Sequence, residues 1–98
     1  RCECLLIEGS GGLLVPLGEK YFVSDVIKEL NCEAVVVARN QLGTINHTLL
    51  TVNALKRFGV QNIAVALVGT SKKDASVEKN GAVLREFLEG IEVRDVEF

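Results

Sequence analysis

Methionine, tryptophan and long apolar runs are all missing from this 98-residue chain. Without tryptophan, and with hydrophobic residues at 48% of the sequence, the core must be mainly aliphatic. The apolar runs at residues 34–38 and 63–68 are much shorter than the roughly 20 residues that span a bilayer as a helix. Because the chain opens at Arg1 without a methionine and already within a strand-like pattern, we expect it to be cut from a longer protein.

An excess of basic charge is also missing. There are 11 Lys and Arg residues against 13 Asp and Glu, a net charge of −2, so no basic stripe is available for a phosphate backbone and we expect no nucleic-acid partner. No charged segment followed by an apolar run opens the chain, so we expect no secretion, no membrane partner and a cytoplasmic location.

The three cysteines, at positions 2, 4 and 32, form neither a C-x-x-C motif nor a zinc-ligand set, and His47 is the single histidine. This pattern predicts reduced, buried thiols in a cytosolic protein.

Strand-like and helix-like segments alternate along the sequence. We predict strands at residues 4–7, 34–38, 62–68 and 91–96, helices at residues 24–30, 44–58 and 77–89, and an irregular loop over residues 9–18. Ser24 is predicted to cap the first helix, with Asp25 in its first turn, and Gly59 and Gly90 are predicted to end the other two. The order predicts one α/β domain over residues 1–98, with a parallel sheet. Because its strands are apolar throughout, we expect helices on both faces.

Glu8 and the glycine-rich segment after it form the first candidate site. Ligands in open α/β sheets gather at the carboxyl ends of the strands, where Glu8 is predicted to lie. A carboxylate there can hold Mg²⁺, and Gly9, Gly11 and Gly12 would let backbone amides approach phosphate oxygens closely. The alternative interpretation is a solvated glutamate before a flexible turn.

The start of the predicted helix at residue 44 is the second candidate site. The first amides of a helix lack internal partners and its amino terminus is electropositive, so Gly43, Thr44 and Asn46 are suited to receive a carboxylate or a phosphate. An ordinary helix capped by Thr44 is the competing interpretation. We expect this helix start and Glu8 to face the same crevice.

Other polar residues at the same edge give weaker signals. His47 is a candidate base without an identifiable partner, and the run Lys72-Lys73-Asp74 could contact phosphates or be simply solvated. Arg39 could face either the ligand edge or solvent. The sequence contains no Ser-His-Asp order typical of a nucleophilic triad.

Two longer strings carry a family resemblance. The strings IEGSGGLLVPL, at residues 7–17, and VARNQLGTINHTLLTVNALKRFGV, at residues 37–60, resemble the dethiobiotin synthetases. The similarity runs from about Leu5 to the end of the chain. LGTINHTLLT is specific to this family, whereas EGSGG also occurs in related cobyrinate and cobyrate enzymes. The resemblance implies a P-loop-type α/β fold, of which this chain would be the carboxyl-terminal part, and a homodimer.

The resemblance also implies an activity. The family uses ATP, Mg²⁺ and CO₂ to close the ureido ring of dethiobiotin from 7,8-diaminopelargonate, through a carbamate that is phosphorylated by ATP. Glu8 would coordinate Mg²⁺, and the segment Gly9, Ser10, Gly11 and Gly12 would line the ATP and substrate site. Gly43, Thr44, Ile45 and Asn46 would receive the carboxylate of the diamine, offered by one subunit to the active site of the other.

Two departures from the family pattern limit this expectation. Nothing in the 98 residues matches the phosphate-binding motif G-x-x-x-x-G-K-[ST], and Val68 stands where the family has the asparagine that reads adenine. We therefore expect these residues alone to be inactive. The alternatives are a non-catalytic dimerisation or binding module, or an amide-forming relative, although no cysteine has the setting of a glutamine-hydrolysing nucleophile.

Overall fold

A computed structural model describes residues 4–8, 12–70 and 74–97. Its elements are, in chain order, β1 (Pro16–Gly18), β2 (Tyr21–Phe22), α1 (Val23–Glu29), β3 (Ala34–Arg39), α2 (Thr44–Arg57), β4 (Ile63–Val68), α3 (Val77–Phe87) and β5 (Glu92–Val96). From α1 onward, every predicted helix and strand is present, with ends within a few residues of the prediction. The predicted α/β class is confirmed.

The strands β3, β4 and β5 form a parallel sheet in that order, with β4 in the middle. Val36, Val65 and Val93 lie side by side across the three strands.

Gly59 directly follows Phe58, the residue that caps the end of α2, with a left-handed φ of 86° that favours glycine, so the predicted stop of this helix is confirmed. The predicted stop at Gly90 is wrong, because α3 already ends at Phe87 and Gly90, with φ of 81°, belongs to the turn before β5.

The core lies between one face of this sheet and the helices α2 and α3. Its buried residues come from the three strands of this sheet, from α2 and α3, and from the residue that follows α3: Ala38, Val52, Val65, Leu67, Leu84, Leu88 and Val93. The apolar residues of α2 recur every three or four positions, so Val52 and Leu55 are buried while Leu50 remains exposed.

The expectation of helices on both faces of the sheet is wrong for the described residues. Along β3, Val35 and Val37 are 65% and 70% exposed, whereas Ala38 is buried. The connections β3-α2-β4 and β4-α3-β5 progress across the sheet in the same direction, and right-handed crossovers then place both helices on the same face. The apolar residues of the other face consequently contact solvent.

The predicted strand at residues 4–7 is also wrong. The described residues 4–8 form no strand, and Leu5, Leu6 and Ile7 are between 58% and 91% exposed. A strand requires a hydrogen-bonded neighbour, and neither described sheet includes this segment. Cys4 is likewise exposed rather than buried, and both Cys4 and Cys32 carry free thiols.

The predicted loop over residues 9–18 contains a strand at its end. Pro16–Gly18 pairs antiparallel with Tyr21–Phe22, and Lys20 turns the chain with φ of 53°. The Tyr21 hydroxyl donates to the Glu29 carboxylate, which ties this hairpin to α1.

The cap of α1 lies two residues earlier than predicted. Phe22, rather than Ser24, is the residue that precedes the first turn. Asp25 accepts a hydrogen bond from the Phe22 amide at 2.7 Å, as its predicted first-turn position favours. Ser24 is 1% exposed and its hydroxyl has no partner in the part of the chain that the structure describes.

Candidate functional site

The turn between β3 and α2 lies at the carboxyl end of the sheet. The Asn40 amide donates to the Val68 carbonyl at 2.8 Å, which continues the pairing of β3 with β4 by one residue. Gly43 precedes α2 with φ of 96°, a backbone conformation that residues with a side chain rarely adopt. A glycine at this position therefore lets the chain turn sharply from the strand into the helix.

The start of α2 presents unused backbone donors. The Thr44 amide donates to the Gln41 carbonyl at 3.1 Å, and the His47 amide donates to the Gly43 carbonyl at 3.2 Å. Within the described residues, the amides of Ile45 and Asn46 between them have no hydrogen-bond partner. Two free amides at the positive end of a 14-residue helix are suited to an anionic oxygen. The structure thus brings together Gly43, Thr44, Ile45 and Asn46.

A cavity of about 230 Å³ adjoins this helix start, between α2 and the outer edge of β3. Its floor contains two buried hydroxyl groups, those of Thr44 and Thr48, with their Oγ1 atoms 3.4 Å apart. Its lining also includes a cation, Arg39, and the full set is Val36, Val37, Ala38, Arg39, Gln41, Thr44, His47, Thr48 and Thr51. The cavity therefore combines hydroxyl donors and a guanidinium with an aliphatic wall.

The loop after β4 binds the turn after β3. Asp74 accepts a hydrogen bond from the Leu42 amide at 2.9 Å, and Asn80 donates to the Gln41 carbonyl at 3.2 Å. Hydrogen bonds from the Ser76 hydroxyl and then from the Leu42 amide lower the pKa of Asp74, because they stabilise its ionised form. Sequence reasoning considered Asp74 only as part of a charged loop and missed Asn80. The Asp74-x-Ser76 spacing, typical of a side-chain-to-backbone turn, was the available signal.

Of the remaining predicted site residues, His47 lines this cavity, whereas the others do not line it or lie outside the described residues. Glu8 is exposed and is not among the residues that line the cavity. Gly12 is exposed as well, with open space around its α-carbon. Gly9, Ser10 and Gly11 lie outside the described residues, as do Lys72 and Lys73. His47 is exposed on α2, beside the free amides.

The sequence predicts a magnesium ligand at Glu8. Across residues 4–8, 12–70 and 74–97, no group of three or more His, Cys, Asp or Glu side chains could hold a metal ion. Glu8 by itself is compatible with Mg²⁺, which is commonly bound by one or two carboxylates together with water and substrate phosphates.

No helix in the described part of the chain is long and apolar enough to cross a membrane.

The fold and the sequence together define the class of protein to which the chain belongs, an α/β domain with a parallel sheet. A family described as an AAA domain matches residues 1–94, nearly the whole chain. The chain therefore belongs to this AAA domain family, which agrees with the parallel sheet and flanking helices of a P-loop NTPase-like fold.

Several curated relatives share one name within this class, ATP-dependent dethiobiotin synthetase BioD. The relative from Bacillus licheniformis is 46% identical over 91 residues, which are 93% of this chain and 39% of the relative. The relative from Endomicrobium trichonymphae is 47% identical over 86 residues, 87% of this chain and 40% of the relative. The predicted resemblance to dethiobiotin synthetases is confirmed, and the chain spans about two fifths of the length of these relatives.

Proposed function

We propose that the protein containing these residues closes the ureido ring of dethiobiotin from 7,8-diaminopelargonate and CO₂, with ATP and Mg²⁺. The names of the relatives support ATP-dependent dethiobiotin synthesis, a step of biotin biosynthesis. One local observation carries the proposal: the string LGTINHTLLT begins a helix with free Ile45 and Asn46 amides, and the neighbouring residues Thr44 and His47 line a cavity.

The free amides are proposed to bind the carboxylate of the diamine. This substrate is an aliphatic chain with a carboxylate at one end and two amines at the other, so its ends need different surroundings. An anion is stabilised at a helix amino terminus by free N–H groups and by the helix dipole. The aliphatic lining of the neighbouring cavity suits the methylene chain, and Arg39 adds positive charge near the carboxylate.

The nucleotide and metal would be held by the amino-terminal segment. Glu8 is proposed to supply one carboxylate oxygen to Mg²⁺, and Gly9, Ser10, Gly11 and Gly12 to approach the ATP and the reacting end of the substrate. When bound, Mg²⁺ would neutralise phosphate charge during phosphoryl transfer. Glu8 does not line the cavity beside α2. In the proposed homodimer, the carboxylate site of one subunit would complete the metal site of the other, and the protein would act in the cytoplasm.

A titration of the ¹⁵N-labelled chain with 7,8-diaminopelargonate tests the carboxylate site. We expect the amide resonances of Ile45 and Asn46 to shift progressively, because these donors would bind the added carboxylate. The methyl ester of the diamine keeps the amines and the chain but lacks the negative charge, and it should produce much smaller shifts. Equal shifts with acid and ester, or none with either, would contradict the proposed site.

The 98 residues by themselves are proposed to be inactive, since they contain no G-x-x-x-x-G-K-[ST] motif to hold the triphosphate. Phosphate release in the presence of diaminopelargonate, bicarbonate and Mg-ATP should therefore stay at the level of a protein-free control. Turnover well above that control would refute this part of the proposal.

A second candidate function is a non-catalytic dimerisation or binding module. The exposed valines on the open face of the sheet favour it, because such an apolar surface is suited to a protein partner. Val68 in place of the adenine-reading asparagine points the same way. This candidate predicts no response of the Ile45 and Asn46 amides to the diamine, so the titration distinguishes the two functions.

A further inference from the structure

The turn at residues 40–43, which leads into the proposed carboxylate site, is held by hydrogen bonds from side chains in a different part of the chain. Asp74 lies 32 residues after Leu42, yet its Oδ2 atom accepts the Leu42 amide hydrogen at 2.9 Å. Its other oxygen, Oδ1, accepts hydrogen bonds from the amide and the hydroxyl of Ser76. The carboxylate is thus held at a fixed orientation by its own loop while it holds the turn.

The buried side-chain amide of Asn80 makes the second set of hydrogen bonds to this turn. Asn80, on α3, is 2% exposed. Its Nδ2 atom donates to Asn40 Oδ1 at 2.9 Å, to the Gln41 carbonyl at 3.2 Å and to Ser76 Oγ at 3.1 Å. The side-chain Nδ2 of Asn40 in turn donates to the Val77 carbonyl at 3.2 Å. Both residues that open the turn are therefore joined to the start of α3.

These contacts bear on the free amides because the turn leads directly into α2. Asn40, Gln41 and Leu42 are each hydrogen-bonded to the loop and helix after β4, and Gly43 follows at once with its left-handed φ. A shift of this turn would move the Ile45 and Asn46 amides relative to Arg39, which belongs to the sheet. Neither Asp74 nor Asn80 lines the cavity, so their hydrogen bonds would act on a ligand through the turn.

We propose that Asp74 and Asn80 are positioning residues that set the affinity of the α2 amino terminus for a carboxylate by fixing the turn at residues 40–43. This inference rests on the proposed carboxylate site. It extends that proposal by assigning a role to two residues that do not touch the ligand.

The experiment compares variants of the chain by the same NMR titration with 7,8-diaminopelargonate. Asp74→Ala removes the acceptor for the Leu42 amide, and we expect the dissociation constant to rise about threefold to tenfold. Asp74→Asn retains one oxygen for that amide and should recover much of the affinity. Glu89→Ala, an exposed carboxylate after α3, is the matched control for the loss of one negative charge and should bind like the parent.

Asn80→Asp removes the buried donor at nearly constant size, and its matched control is Asn53→Asp on the exposed face of α2. If Asn80→Asp fails to fold, the exposed Asp74 series still tests the inference. Equal dissociation constants for the parent, Asp74→Ala and Asp74→Asn would overturn the positioning role while leaving the carboxylate site intact. Absence of binding by the parent would instead overturn the proposed site, and the positioning inference with it.

Discussion

At the scale of single residues, Gly43 shows how one backbone angle determines the site. Its φ of 96° lies in the region that costs other residues roughly 1–2 kcal/mol. We expect Gly43→Ala to lower the free energy of unfolding by about 1 kcal/mol or more, measured by urea denaturation. Gly18→Ala is the control, since Gly18 lacks a positive φ and the nearest atom to an added Cβ is Tyr21 Cβ at 3.9 Å. Equal losses for both variants would contradict a conformational origin.

The ionisation of a single residue, Asp74, makes the free energy of unfolding depend on pH. Its folded-state pKa is lowered from 3.8, first by the Ser76 hydroxyl and then by the Leu42 amide. A lowered pKa means that the stabilising contribution is present above pH 3.8 and is lost as the pH falls through the folded value. Acid titration of unfolding should therefore show a shallower loss of stability below pH 3.8 in Asp74→Asn than in the parent. Parallel curves would exclude this linkage.

At the scale of elements, the two leucines of α2 on opposite sides of the helix form a matched pair. Leu55 is 1% exposed and packs in the core, whereas Leu50 is 61% exposed. We expect Leu55→Ala to destabilise the chain by about 2–5 kcal/mol, because it leaves a cavity where the leucine side chain was buried. Leu50→Ala should change the unfolding free energy by about 0.5 kcal/mol or less. Similar effects of the two changes, measured by denaturation, would contradict the assigned face of α2.

The helices and central strands were predictable because their signals are local. Leu49, Val52 and Leu55 repeat at the helical period, and Gly59 marks the end of α2. Two features were not predictable, because both depend on contacts between residues far apart in sequence. They are the hydrogen bond of Asn80 with Asn40 and the covering of only one face of the sheet by helices. The apolar residues at 5–7 resemble a strand, but a strand forms only where another strand pairs with it.

At the scale of the whole molecule, the open sheet face predicts self-association. Val35 and Val37 form an exposed aliphatic patch on β3, and such surfaces commonly mediate protein contacts. Sedimentation of the chain at high concentration should show species larger than a monomer, and Val35→Lys should shift the distribution toward the monomer. Leu50→Lys places the same charge on an exposed apolar site of α2 and should leave association unchanged. A monomer at every concentration would refute the prediction.

The central position of β4 predicts different rates of amide hydrogen exchange in the three strands of the sheet. Within the described chain, β4 is hydrogen-bonded on both sides, whereas β3 and β5 each have a single neighbour. Successive amides of a strand point to alternate sides, so half of those in β3 point away from β4. In deuterated water, β3 should consequently exchange in a two-residue rhythm of fast and slow amides, while β4 retains its protons along its whole length.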